Sequence, residues 1–584
     1  MLGRGILPWL VSLTGLIAGQ AAAEVIFVDA AANGANDGTG WADAFTDLQD
    51  GLGSAVSGDE VWVAAGTYKP TQPDGDRLAS FVLTNGVALY GGFAGGESEL
   101  DERDWEVNET VLSGDLNGDD GDDFENNEEN TYHVVAAIST TETVVLDGFV
   151  ITAGNTAKTG DRDVEGGGIV IEIGSAIVSN CTFMANSSGQ GALYGFFSNV
   201  TLTNCAFIEN IGGAIFGLVA DMTLTDCSFF DNTHGAINNI LAETTILTDC
   251  IFVNNSDLFF LIVPKGGAVE LSGDATLTRC TFVGNSAAGV CGGAGGALYW
   301  SSDDSDISLT DCVFLGNLTD TGQGGGLAAG GAVALGGNGN ATLINCLFSG
   351  NFSGTGAGIK VTEGTTLTNC TFSGNSAYFS GGAIGGASPT LTNCLLWGNS
   401  DLGGMDESGQ IDADDPIINY CNIQGWTGDF GGVGNLGMDP LFADADGPDD
   451  TLGTEDDDLH LLSGSPSIDA GDNNALPVEV TADLDGNPRY VDDPATEDTG
   501  NPGAPGPPII DMGAYEFQVE AAPCEGDVNG DGTVNPLDSG FVLARYGCPV
   551  NTGDPSCDDA DVNYDGMVDP LDSGYVLARF GECP

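Results

Sequence analysis

The residues best equipped for chemistry lie near the C-terminus, where a block of oxygen-bearing side chains occurs twice. Asp527-Val528-Asn529-Gly530-Asp531-Gly532 returns 34 residues later as Asp561-Val562-Asn563-Tyr564-Asp565-Gly566. Asp527, Asn529, Asp531, Asn535 and Asp538 take the first, third, fifth, ninth and twelfth places of one loop. Asp561, Asn563, Asp565, Asp569 and Asp572 take the same places of the other, and Thr533 and Met567 would each lend a backbone carbonyl. Glycine at the sixth place permits a sharp turn. Calcium takes about six to eight hard oxygens, with a bidentate carboxylate closing the loop, and this order supplies them. An Asp/Asn-rich surface turn without metal is the plain alternative; the repetition of the whole spacing argues against it.

An apolar helix is expected after each loop, Leu537 to Tyr546 and Leu571 to Phe580, and no helix-forming sequence precedes either loop. This loop-helix order, with Asp at the twelfth place, resembles the dockerin type I family. The resemblance covers residues 519–584 and implies a small α-helical, EF-hand-like domain that holds two Ca2+ ions and docks on a cohesin-like protein. Pro536-Leu537 and Pro570-Leu571 stand where dockerins often carry the small hydroxyl residues of cohesin recognition, so the resemblance implies calcium without settling the partner. Cys524 with Cys548 and Cys557 with Cys583 flank the two halves symmetrically. One disulfide per half is expected in an exported protein.

The body that carries this module is a long repeat. Ten copies align on Cys181, Cys205, Cys227, Cys250, Cys280, Cys312, Cys346, Cys370, Cys394 and Cys421, at steps of 22 to 34 residues. An aliphatic residue such as Val178, Leu224, Leu309 or Leu391 lies three places before the cysteine, and Phe lies two places after it in the first eight copies. Five places after it stands Asn in the first nine copies: Asn186, Asn210, Asn232, Asn255, Asn285, Asn317, Asn351, Asn375 and Asn399. The tenth copy has Trp426 there. Such a period means a solenoid. On a strand the cysteine and the aromatic share one face, and parallel coils about 4.8 Å apart turn each column into a ladder of like side chains. Asn or Asp precedes the cysteine in eight copies, which suits a left-handed turn. The pattern resembles the right-handed parallel β-helix of the pectin-lyase-like superfamily over residues 150 to 430. The fold class expected is therefore all-β, a right-handed parallel β-helix solenoid with an N-terminal helical cap, joined to the small dockerin-like domain. Stacked cysteines point the same way, whereas a disulfide needs β-carbons about 3.5–4.5 Å apart and turned toward each other. The ten are read as buried free thiols acting as small hydrophobes. Cys291, in a glycine-rich insert, is the one thiol to test for reactivity.

Residues 1–23 read as a signal peptide: Arg4, an apolar run from Ile6 to Ala18, then Ala21-Ala22-Ala23. The run is too short to span a bilayer, and no later stretch reaches the roughly 20 apolar residues that spanning needs. The expected location is secreted, extracellular or cell-surface. Residues 24–150 would form the cap and first irregular coils. A strand is expected at Val25 to Val28 and an amphipathic helix from Trp41 to Leu52 on Phe45, Leu48 and Leu52. Further strands are expected around Val61 to Val63, Phe81 to Leu83 and Val87 to Tyr90. Residues 151–430 hold the repeats, and 431–518 form an acidic tail. The tail contains Gly464-Ser465-Pro466-Ser467-Ile468-Asp469-Ala470-Gly471, Asp485-Gly486-Asn487-Pro488-Arg489 and Asp511-Met512-Gly513-Ala514-Tyr515-Glu516. It is similar to the segment that precedes the attachment module in many bacterial surface β-helix proteins. A net charge of −74, with only 12 Lys and Arg, would repel nucleic acid and anionic lipid, so those partners are excluded.

The fold resemblance implies action on polysaccharides, and two enzyme classes can be weighed. A lyase of this fold needs a cationic base, yet Lys265, Arg279 and Lys360 are the only cationic side chains between Cys181 and Cys421, with His234 the only histidine. A hydrolase needs clustered carboxylates. Asp303, Asp304 and Asp306 are weak catalytic candidates, between wide inserts near 286–299 and 318–333 expected to wall a cleft; a solvated acidic turn is the alternative. Further calcium candidates are Asp115 and Asp119 with Asp122 and Asp123, and Asp444 and Asp446 with Asp449, Asp456, Asp457 and Asp458. The reading that needs no missing residue is a non-catalytic glycan- or protein-binding scaffold. The alternative is an extracellular polysaccharide hydrolase or lyase.

Overall fold

The computed structural model describes residues 23–121, 124–156, 166–257, 265–289, 293–320 and 328–518, with isolated positions between 533 and 582. The chain divides into two compact units, Met1–Phe517 and Gln518–Pro584. In the first, parallel strands build sheets of 14, 13 and 12 strands, and a five-stranded sheet joins them over the middle coils. One coil shows the plan: Ser175–Ser179 lies in the 14-stranded sheet, Thr182–Met184 in the 13-stranded one and Leu193–Phe196 in the 12-stranded one. The next coil repeats it from Asn199–Thr203. Each strand pairs with its counterpart one coil on, as in Phe183 with Phe207 and Val178 with Leu202.

The ladders stand where the repeat puts them. Eight rings from Phe183 to Phe372 stack with centroids 4.5–5.0 Å apart and planes within 7° of parallel. All ten residues before the ladder cysteines take φ of 50–57°, including Arg279 and Tyr420. The cysteines are buried and free. Cys205 Sγ donates to Val178 O at 3.5 Å, and burial pushes the Cys181 thiol up to about 12. The asparagine column is tighter still. Each Nδ2 from Asn186 to Asn375 donates to the next Oδ1 at 2.8–3.2 Å. From Asn210 on, it also donates to the Phe carbonyl of the coil before, as in Asn285 Nδ2 to Phe252 O at 2.9 Å. The same oxygens accept the backbone N–H of the previous Asn at 2.9–3.1 Å. Beyond Asn399 the column passes to Gln410, whose Oε1 accepts at 2.8 Å; Trp426 does not extend it.

The N-terminal helix is shorter than its apolar spacing implies. Trp41–Asp43 is a single 3-10 turn, and Phe45 is extended, donating to Phe27 O at 2.9 Å. Asp47 then caps a helix over Leu48–Ser54 by accepting from Gln49 N at 2.9 Å. Leu48 and Leu52 join the core as expected.

The tail does not trail away from the coils. It folds back along the turn column and the outer face of the 13-stranded sheet. Leu461, Ile468 and Met512 pack on Leu395, and Leu459 packs on Leu315 and Leu347. Gly513, at φ 101°, passes so close that a Cβ would sit 2.6 Å from Leu395 Cδ1. Two of the tail motifs, 485–489 and 511–516, meet at buried Arg489. Its Nη2 donates to Asn345 Oδ1 at 2.9 Å, Gly513 O at 2.6 Å and Ala514 O at 3.0 Å, and its Nη1 lies 3.4 Å from Glu516 Oε2.

In the second unit Thr533–Val534 pairs antiparallel with Gly581–Glu582, Val542, Val568 and Val576 are buried, and Met567 is exposed. The other expected ligands there, Asp527, Asn529, Asp531, Asn535, Asp538, Asp561, Asn563, Asp565, Asp569 and Asp572, lie outside the described residues, as do the four flanking cysteines, Cys291 and residues 1–22. Among the described residues no helix is long and apolar enough to cross a membrane.

Two outcomes follow. Replacing Asn285 by Leu strands the Asn255 N–H and one Asn255 Nδ2 hydrogen inside the core, at about 1–3 kcal/mol for each group. Denaturant midpoints should show a loss upward of about 2 kcal/mol, against under about 0.5 kcal/mol for exposed Thr366→Ala. Iodoacetamide should leave the ten ladder thiols of the native protein unmodified and alkylate all ten after unfolding; a disulfide joining any two would contradict the packing.

Candidate functional site

The 14-stranded sheet carries an open groove of about 760 Å³ on its outer face. Period-two alternation dictates its floor. Ala275, Leu277, Ile307, Leu309, Ala341 and Leu343 point into the core, so Thr276, Ser308, Thr310 and Thr342 point out and line the groove. Asp274, Asp306 and Asn340 lie at the strand starts, and Asp311 beside the strand ends. The tail segment 477–482 completes the wall. It is held by Leu476 and Val480 against Ile344 and by Ala482 O, which accepts from Asn345 Nδ2 at 3.0 Å. Burial raises the Asp311 carboxyl above its ordinary value, against the opposing hydrogen bond from Asn345 Nδ2 at 3.0 Å. Hydroxyls and carboxylates in one shallow channel can accept and donate hydrogen bonds to a polyhydroxylated ligand.

Of the catalytic candidates only Asp306 lines this groove. Its Oδ1 accepts from Asn340 Nδ2 at 2.8 Å and Asn340 N at 3.2 Å, while its own N–H donates to Asp274 Oδ1 at 3.0 Å. It thus caps the next coil's turn as Asp274 caps its own. Asp303 accepts from Asn338 Nδ2 at 2.9 Å, and Asp304 is exposed. The described ends of the inserts do not flank them. Asp303, Asp304 and Asp306 occupy the turn between Leu298–Ser302 and Ile307–Thr310, whereas Ser286–Ala288 and Leu318–Asp320 of the inserts belong to the five-stranded sheet, across strand Leu298–Ser302 from that turn. Those described ends pair with each other at one corner of the coil, and the carboxylates lie at another.

The cationic residues are equally dispersed. Arg279 forms a two-pronged pair with Asp249 at 2.6 and 2.7 Å, which holds that carboxyl below its usual range. Lys265 lies over the Tyr299 ring at 4.6 Å, and Lys360 sits in the 12-stranded sheet. Arg103, outside the repeats, is engaged with Asp147 at 2.6 Å.

Asp115 and Asp119 do come together, with Glu129 as their third carboxylate, one oxygen of each lying within 4.8 Å of the others. Asp122 and Asp123 lie outside the described residues. Burial raises the neighbouring Asp120 carboxyl to about 6, against the Asn130 hydrogen bond, and the charges of Asp115, Glu129 and Asp119 add to the rise. Glu129, 14 residues from Asp115, had no spacing to mark it. The set from Asp444 to Asp458 does not gather. Asp457 accepts from Ser349 Oγ and Gly453 N, both at 2.7 Å, and Asp449 from Thr451 N at 2.8 Å.

Residues 147–307 and 295–429 match the profile of the family described as right handed beta helix region. No curated protein matches the chain. Among solved structures it is similar to pectate lyase Pel9A, at 14% identity over 86% of this chain and 98% of that one, with a TM-score of 0.37. It is also similar to the catalytic unit of a GH87 alpha-1,3-glucanase from Streptomyces thermodiastaticus strain HF3-3, at 15% identity over 73% and 71%, TM-score 0.29. A third is tailspike protein gp49 from Acinetobacter baumannii bacteriophage Fri1, a capsular polysaccharide depolymerase, at 13% identity over 76% and 64%, TM-score 0.23. With the parallel sheets described above, the profile match makes residues 147–429 a right-handed parallel β-helix region.

Proposed function

We propose that this is a secreted or cell-surface scaffold that binds a glycan, or another protein, along the outer face of its coils without cleaving it. The observation that carries this reading is the use of Asp306: the one catalytic candidate in the groove is a turn cap, with Asn340 on its carboxylate and its own amide on Asp274. The floor of Thr276, Ser308, Thr310 and Thr342 suits a polyhydroxylated chain. Residues 1–23 direct export, and the helix Leu48–Ser54 covers the open N-terminal end of the core. Residues 519–584 attach the protein through a dockerin-like module folded by two calcium ions on a cohesin-like partner. Asp115, Asp119 and Glu129 offer a further calcium site.

Incubated with a panel of plant and algal polysaccharides and calcium, the protein should retain at least one glycan and release no new reducing ends or unsaturated uronides. Thr276→Val with Thr342→Val should weaken that retention severalfold. Product release abolished by Asp306→Asn would instead establish the hydrolase reading. Residues 519–584 made alone should gain helix as calcium is titrated in and lose it with chelator; an unchanged circular dichroism spectrum would remove the module's calcium role.

A further inference from the structure

The carboxylate of Asp469 takes no part in the Arg489 network. Asp492 and Asp498 come from the segment that follows Arg489, and one carboxylate oxygen of each of the three residues lies within 4.8 Å of the other two. Asp469 is 0% exposed. Its Oδ2 accepts from Asp493 N at 3.3 Å, whereas its Oδ1 is buried with no hydrogen-bond partner. The backbone there, at φ 51°, is pinned on both sides. Its carbonyl accepts from Thr499 N and Gly500 N at 3.0 Å each, and its N–H donates to Asp511 Oδ1 at 2.7 Å. Among the described residues no Lys, Arg or His pairs with Asp469, Asp492 or Asp498; Arg489 is committed to Glu516, Asn345 and two carbonyls. A buried acceptor with an unused oxygen beside two more negative charges is costly unless a cation completes it. Burial raises the Asp469 carboxyl to about 6, against the Asp493 N–H, and Asp492, Asp498 and Asp493 raise it further.

We infer that Asp469, Asp492 and Asp498 form a calcium site that staples the tail into its docked conformation. Three carboxylates are a hard-oxygen set. Their placement, one buried and two exposed on a loop, suits the irregular shell that calcium accepts at about 2.3–2.6 Å better than the near-octahedral one that magnesium demands at about 2.0–2.1 Å. Asp469 would supply its unpartnered Oδ1 from the protein side, and Asp492 and Asp498 would close the site from solvent. The ion would tie the Gly464 to Gly471 motif to the segment after Arg489, two stretches already joined by the Thr499 and Gly500 amides. This site is independent of what the groove binds and of the loops in 519–584.

The full-length protein, freed of metal with chelator, should bind one more equivalent of calcium in equilibrium dialysis than its Asp492→Asn/Asp498→Asn variant. Equal stoichiometry would overturn the site. Asp469→Asn supplies a second readout that keeps the buried hydrogen bond while removing the charge. In chelator this variant should melt at or above the wild-type temperature, and in millimolar calcium several degrees below it. A difference of the same sign and size in both conditions would overturn the inference. Magnesium at the same concentration should leave the chelator order unchanged, and a full reversal with magnesium would overturn the assignment to calcium.

Discussion

A primary amide buried between parallel coils has two hydrogens to donate and an oxygen with two lone pairs to satisfy, and stacked identical amides, with a Phe carbonyl and a backbone N–H beside each, satisfy all of them. The Asn186 to Asn399 column meets that condition at every step, so each coil holds the register of the next. A slip of one residue would strand those groups in the core. The stacked Phe column and the thiols sit in the space that this register creates. Gln410 shows the same constraint at the end of the column: the last amide still needs an acceptor, and a helix residue one methylene longer reaches in to supply it.

The turn column has a second use. A residue in the left-handed conformation at each corner leaves its side chain pointing off the coil, and Asn345, Asn369 and Asn393 turn theirs toward the tail. Asn345 accepts from Arg489, Asn369 Nδ2 donates to Asp511 O at 3.4 Å, and Asn393 Oδ1 accepts from Asp472 N at 2.7 Å. A guanidinium buried this deeply is tolerable only because carbonyls, an amide and Glu516 surround it. Asp511 and Glu516 are both pushed up by burial, Asp511 to about 7, with Arg489 opposing in each case. The docked tail in turn completes the groove, since residues 477–482 form part of its wall.

Part of the chain's acidity is the chemistry of turns. Asp221, Asp274 and Asp306 accept backbone amides of the following coil, Asp249 pairs with Arg279 across one coil, and Asp457 holds Ser349. A carboxylate at a corner satisfies donors that a parallel coil leaves open, which is why a run such as Asp303 to Asp306 is ambiguous when read alone.

The sequence by itself determined the stack. The cysteine, phenylalanine and asparagine columns, the left-handed residue before each cysteine and the free state of the thiols all follow from a repeat written ten times, in which every signal is local and the period supplies the third dimension. The start of the N-terminal helix was misplaced because apolar spacing marks a buried face and cannot show that Phe45 pairs with the first strand while Asp47 begins the helix. Only the tertiary structure decided where the inserts and carboxylates stand around the coil, that Glu129 joins Asp115, and that the tail folds back to bury Arg489 and Asp469. Those contacts join residues far apart without any period, 144 positions in the case of Asn345 and Arg489. Nothing in the local order of residues records which corner of a coil a returning segment will meet.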